Sequence, residues 1–296
     1  MPIRDTTLNA LVSRLRQDRT SGRDVLEITG HWSREIRERL DTNLAATGST
    51  GRGEATPSSD LDVIRLSPGP TPRFDALRAA RVRVDANGAL PTARELPTTE
   101  DQWRTDARGW ISRPREDKGV VKIGLLADAH SEVRSAASRN FAFSPILADM
   151  LRDALSVVPP RTTGLWSRKS VDLKQEILAP TTKIARWAAL ASGTTELSTT
   201  RRLTTSSTEY LDTDSATALA GAFQEALGLS LDLDLGIVDN QVFERSGRVM
   251  LTALPPDRGA AVRSATQTLR TVSTTLRYLL TTSAFSVDSR PGDGRL

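Results

Sequence analysis

The sequence contains no cysteine and only two histidines, His31 and His130, among its 296 residues. Disulfides, thiolate metal sites and cysteine nucleophiles are therefore excluded. A metal ion would have to be held mainly by carboxylates, whose hard oxygens suit Mg2+ or Mn2+. Aromatic residues are scarce, at 6 Phe, 5 Trp and 2 Tyr, and no run of like charges forms a phosphate-tracking stripe, so a nucleic-acid partner is disfavoured. No stretch approaches the roughly 18 consecutive apolar residues of a membrane span, and the start of the chain, with Arg4 and Asp5, lacks the apolar region of a signal peptide. A soluble, cytoplasmic protein without a membrane partner is expected.

The 40 Lys and Arg are nearly balanced by 36 Asp and Glu, for a net charge of +4, in spite of a pI near 9.8. A mixed-charge solvated surface follows. With 38% apolar residues, the length allows two domains with real cores. Helical spacing links Leu8, Leu11, Val12 and Leu15, and a second helical pattern runs through Trp32, Ile36, Leu40 and Leu44. After a Gly/Ser-rich loop, residues 60–66 alternate polar and apolar before Ser67-Pro68-Gly69-Pro70, which predicts a strand closed by a turn. Residues 74–81 read as a short helix, 85–102 as an irregular connection, and helix resumes around Trp103 and Trp110. The apolar run from Val120 to Ala127 has strand length and ends in Asp128, which predicts a second core strand.

From Pro145 onward helical patterns dominate. They include Ile184, Trp187, Ala188 and Ala191, then Leu219, Ala222, Phe223 and Ala226, and a last helix carrying Val262, Ala265, Leu269, Val272, Leu276 and Leu279. The expected fold is α+β, a mixed sheet flanked by helices over residues 1–150, followed by an all-helical bundle over 151–296, with Pro159-Pro160 near the joint. Trp166 and Trp187 read as core or interface aromatics, and the last dozen residues as frayed. The apolar spacing from 262 to 279 would allow a subunit interface if the core leaves that face free, and the oligomeric state stays open.

The chemistry lies between Gly48 and Asp62. Asp60 and Asp62 are two apart, so a strand aims both to one side with roughly 7 Å between them, and a cation can sit there. Nucleotidyl transfer needs such a pair, plus a third carboxylate from a neighbouring element, to hold cations against a triphosphate; Asp128 is the candidate third carboxylate and proton acceptor. The glycines of Gly48-Ser49-Thr50-Gly51-Arg52-Gly53-Glu54 let backbone amides approach phosphate, with Ser49 and Arg52 as side-chain donors. Arg52 could equally pair with Glu54 or Asp60, and Glu54 reads as structural. His130 reads as a local hydrogen-bonding group, with a role as base or acceptor-site residue the alternative.

The string Gly-Ser-Thr-Gly-Arg-Gly-Glu-Ala-Thr-Pro-Ser-Ser-Asp-Leu-Asp resembles the signature of the DNA polymerase β-like nucleotidyltransferase superfamily, and within it the branch that contains the protein-PII uridylyltransferases. Trp103, Trp110, Pro114 and Asp128 are similar in order and spacing to a bacterial nucleotidyltransferase family with a dedicated substrate-binding domain. Asp172-Leu173-Lys174, Pro180, Ala185-Arg186, Leu190, Thr199 and Arg202-Leu203 resemble that second domain. The resemblance covers roughly residues 40–285. It implies transfer of a nucleoside monophosphate from a triphosphate such as ATP to a hydroxyl acceptor, either a protein side chain or a small molecule, with Mg2+ or Mn2+ on Asp60, Asp62 and Asp128. It also places Lys174 and Arg186 where they could face the cleft and neutralise triphosphate or an acidic acceptor; in the competing reading Asp172 and Lys174 are interdomain salt-bridge partners. Relatives tend to carry Arg where this sequence has His130, and longer ones carry regulatory modules ahead of the loop; with the loop starting at Gly48, none is expected here. Two rival readings are a catalytically silent nucleotide sensor and a toxin-like transferase acting on a macromolecule.

Overall fold

The computed structural model describes residues 8–84, 89–137, 145–162, 164, 168–206, 211–243 and 248–282. The expectations for Trp166 and for the last dozen residues lie outside them. Helix α1 (Leu8–Thr20) buries Leu11 and Leu15, and α2 (Val25–Arg37) starts where the Asp24 carboxylate accepts from the Leu26 amide at 2.8 Å. Trp32 and Ile36 face the core as expected, but the helix ends at Arg37 and Leu44 opens a strand instead. β1 (Leu44–Thr47) is buried along its whole length and pairs antiparallel with β2 (Asp62–Arg65), Thr47 opposite Asp62. Between them the expected loop is a short helix, α3 (Gly48–Arg52). A third extended segment joins through a parallel pairing of Asp60 with Arg83, and the Leu61 amide donates to the Arg83 carbonyl at 2.8 Å. This small sheet, with α4 (Asp75–Ala79) and α5 (Glu100–Ser112) beside it, is the α+β part of the molecule. Within α5, Trp103 and Trp110 meet edge to face at 5.7 Å.

The expected strand at 120–128 is a helix, α6 (Gly119–Ala127), with Asp128 at its C-cap. A short apolar run does not distinguish a strand from a buried helix, and here the burial decides. Ile123, Leu126 and Ala127 are buried at helical spacing while Val121 stands 59% exposed. Helix α7 (Pro145–Ala154) crosses the boundary expected at residue 150. Beyond it lie β3 (Ser170–Val171), a wide π-helical turn at Lys174–Leu178, α8 (Ala179–Ser192), α9 (Thr199–Thr205), α10 (Thr213–Asp234), β4 (Val249–Met250) and α11 (Pro256–Thr282), with β3 and β4 paired antiparallel.

Helix α10 is apolar nearly all round because three cores meet on it. Leu219 joins the cluster of Trp103, Trp110 and Trp187; Phe223, Leu227 and Leu231 join that of α1, α2 and the sheet; Ala226, Leu229 and Leu233 pack with Val262 and Ala265 of α11. Of the apolar stripe from 262 to 279, Val262, Ala265, Leu269, Val272 and Leu276 are buried in these cores and Leu279 packs, partly buried, against one of them. Among the described residues, no helix is long and apolar enough to cross a membrane.

Candidate active site

The chain leaves β1 at Gly48 with φ of +60°, a conformation that L side chains rarely adopt. A Cβ at Gly48 would collide with Asp62 Oδ2 and lie 3.2 Å from its Cγ, so only glycine lets the carboxylate come up against the start of α3. Gly51 has a similar constraint: a Cβ there would collide with the Asp128 carbonyl and come within 2.8 Å of that of Ala46. The two glycines draw β1, β2 and the end of α6 together around α3.

Asp60 and Asp62 are both partly exposed and face one cleft. Asp62 Oδ1 accepts from the Ala89 amide at 2.7 Å. Burial raises the Asp62 pKa above the usual carboxylate value, and the neighbouring charge of Asp60 adds to this against the pull of the Ala89 amide, Arg52 and Lys174. Asp60 Oδ2 accepts from Lys174 Nζ at 2.7 Å, across the molecule from the turn before α8. Lys174 thus makes a salt bridge between the two halves, whereas Asp172 accepts from the Gln175 amide at 2.8 Å within its own turn.

Asp128 has a different environment. It is 1% exposed, and its two oxygens accept from Arg186 Nε at 3.1 Å, from Arg202 Nη1 at 2.6 Å, from Arg186 Nη2 and from Arg52 Nη1. Although burial opposes ionisation, the charges of Arg186, Arg52 and Arg202 hold its pKa far below the carboxylate range. Arg52 is turned the same way, with Nε donating to Glu54 Oε2 at 2.8 Å. Glu54 continues the network by accepting from the Thr199 amide and from Thr199 Oγ1 at the start of α9. In the sequence, Arg202 and Thr199 are marked only by their place in the second-domain pattern. His130 lies at the surface, its amide donates to the Ala46 carbonyl at 2.9 Å, and partial burial of its ring, with the nearby Arg37 and Arg134, lowers its pKa.

The cleft has a volume of about 610 Å3 and lies between the sheet and the helical half. Gly48, Ser49, Asp60 and Asp62 line it from the sheet side and Lys174 and Arg186 from the helical side, and the buried side chains of Arg52 and Asp128 also border it. Phe223, Leu227 and Phe243 add apolar surface from the helical side. Such a cleft is of the size that ordinarily takes a small-molecule ligand. Among the described residues, no three His, Asp or Glu side chains converge as a metal site. The Asp60–Asp62 pair nevertheless fits one hard cation. Asp62 carries a poorly compensated negative charge beside a second carboxylate, and Mg2+ is commonly held by one or two carboxylates with phosphate oxygens and water completing the shell.

Residues 32–113 match the family model described as "Nucleotidyltransferase domain". Residues 144–279 match the one described as "Putative nucleotidyltransferase substrate binding domain". No curated protein matches the sequence. The first match contains Gly48, Ser49, Asp60 and Asp62, the second contains Lys174, Arg186 and Arg202, and the cleft lies between the two. The chain therefore belongs to a nucleotidyltransferase family, and the protein is a nucleotidyltransferase.

Proposed function

We propose that the protein transfers a nucleoside monophosphate from a nucleoside triphosphate to a hydroxyl acceptor, a protein side chain or a small molecule, and releases pyrophosphate. The observation that carries this reading is the pairing of Asp60 and Asp62 across from Gly48-Ser49 at one wall of a cleft wide enough for a nucleotide. Nucleotide transfer builds negative charge on the bridging oxygen of the leaving pyrophosphate, so the site must bring fixed positive charge to the β and γ phosphates. Asp60 and Asp62 would hold Mg2+ or Mn2+, which when bound neutralises phosphate charge and polarises the reacting phosphorus.

Ser49 supplies a hydroxyl and the Gly48 region a close backbone approach on the phosphate side. Lys174 is 62% exposed and already lies on Asp60, so a small swing of its flexible stem carries the ammonium from carboxylate to phosphate. Arg186 lines the helical side and keeps that side of the cleft positive. The helical half, residues 151–296 of the division proposed from the sequence, would select the acceptor with its apolar wall around Phe223, Leu227 and Phe243.

Pyrophosphate release tests the reading. Full-length protein is incubated with Mg2+, cell extract and each nucleoside triphosphate in turn. Release with at least one triphosphate, falling roughly 100-fold or more in Asp60→Asn, is the expected result. Tight nucleotide binding with no release from any triphosphate would instead favour a silent sensor.

A further inference from the structure

We infer that Asp128 is the counter-ion that fastens the helical half to the nucleotidyltransferase half, and that the metal centre of this chain is built on Asp60 and Asp62 without it. The inference rests on the reading of that pair proposed above, and it departs from the three-carboxylate site that the sequence pattern implies.

Placement is the first argument. A carboxylate at a strand end beside β2 would project toward Asp60 and Asp62. Because residues 119–127 are helical, Asp128 emerges at a C-cap instead, beneath α8 and α9. Its backbone is held there as well: the Arg202 guanidinium donates to the Ala127 carbonyl at 2.7 Å, the His130 amide to Ala46, and Gly51 packs without a Cβ against the Asp128 carbonyl.

Hydrogen-bonding capacity is the second. An ionised carboxylate accepts at about four lone-pair positions. Four guanidinium N–H groups, from three arginines on three different helices, fill those of Asp128, and its side chain is 1% exposed. Arginine does not give up its proton in proteins, so raising the pH does not empty the cage. A divalent cation at Asp128 would have to displace guanidiniums and then sit beside their charges.

Architecture is the third. Arg52 belongs to the nucleotidyltransferase half, while Arg186 and Arg202 belong to the helical half. Asp128 bridges them, and Glu54 extends the bridge to Thr199. Without Asp128, three guanidiniums would be left with too little negative charge, a costly arrangement when one partner of a buried ion pair is lost.

The test is titration of the full chain with Mn2+ alone, followed by the resonance of free Mn2+, together with thermal denaturation. Asp62→Asn is expected to weaken Mn2+ binding about tenfold or more without unfolding the protein. Arg186→Gln and Arg202→Gln are expected to keep Mn2+ affinity within about twofold and to lower Tm by roughly 5 °C or more. Asp128→Asn is expected to show the largest loss of Tm. An arginine variant that binds Mn2+ several-fold more tightly would mean that Asp128, once released, joins the metal; that result overturns the inference. So would an Asp128→Asn protein with native Tm that no longer binds Mn2+. If Asp62→Asn leaves Mn2+ binding unchanged, the reading of the Asp60–Asp62 pair fails, while the arginine variants still decide the role of Asp128.

Discussion

Gly48 and Asp62 face each other across a gap that holds a hydrogen atom and nothing larger. The positive φ and the close carboxylate act at the same position, so Gly48→Ala should cost about 2–4 kcal/mol, measured by denaturant unfolding, and should distort the site in whatever protein remains folded. A cost below about 0.5 kcal/mol would show that the two groups are not in contact. Asp62 itself is held at some expense to stability. Its pKa is raised in the folded state, so the native protein binds its proton more readily than the unfolded chain does. Stability is therefore lost as pH rises from the ordinary carboxylate value through the raised one, and the penalty is complete above it. Asparagine keeps the acceptor for the Ala89 amide and removes the charge, so at pH 7 without divalent cations Asp62→Asn should raise Tm by roughly 2 °C. Saturating Mg2+ should reverse the order, because only the wild-type protein gains stability by binding it. A variant less stable than wild type in chelator would contradict this account of Asp62.

At the scale of elements, β2 and the glycines and carboxylates just ahead of it are the most legible part of the sequence, whereas α3 reads there as a loop. These glycines and the two carboxylates are local features, spaced by the geometry of one turn and one strand. β1 and α6 were not legible. The helical pattern of Trp32 and Ile36 continues by coincidence to Leu44, whose burial belongs to a strand. The run from Val120 to Ala127 is apolar enough for either structure, and the choice is made by what surrounds it. Trp110 packs against Gly119, and Lys122 lies over the Trp110 ring at 5.3 Å while donating to Asp117. The arginine cage was legible only in fragments, because Arg52, Arg186 and Arg202 are far apart in sequence and meet through the packing of α3, α8 and α9. Substitutions separate the two structures at this run. In a strand, Val121 and Ile123 would share a face; in the helix, Val121 is exposed and Ile123 fully buried. Val121→Lys should change stability by less than about 0.5 kcal/mol, whereas Ile123→Ala should cost about 2–4 kcal/mol. Equal costs at the two positions would restore the strand.

Across the whole molecule, function and stability use the same boundary. The cores cross it: Ala45 and Ile64 of the sheet share a cluster with Ile184 and Trp187 of α8, and α10 completes the packing of α1 and α2. The ion pairs cross it too, at Asp60–Lys174 and at the cage around Asp128. A cleft walled in this way is fixed by the packing of both halves, which preorganises Asp60 and Asp62 on one side and Lys174 and Arg186 on the other. The central claim is that this cleft moves the α-phosphate with its nucleoside. The most direct measurement supplies the protein with Mg2+, cell extract and each triphosphate labelled either at the α or at the γ phosphate. The α label should appear on an acceptor and the γ label only in pyrophosphate, with both transfers lost in the Asp60→Asn, Asp62→Asn double variant. Transfer of the γ label to an acceptor, or α-label transfer that survives the double variant, would contradict the account.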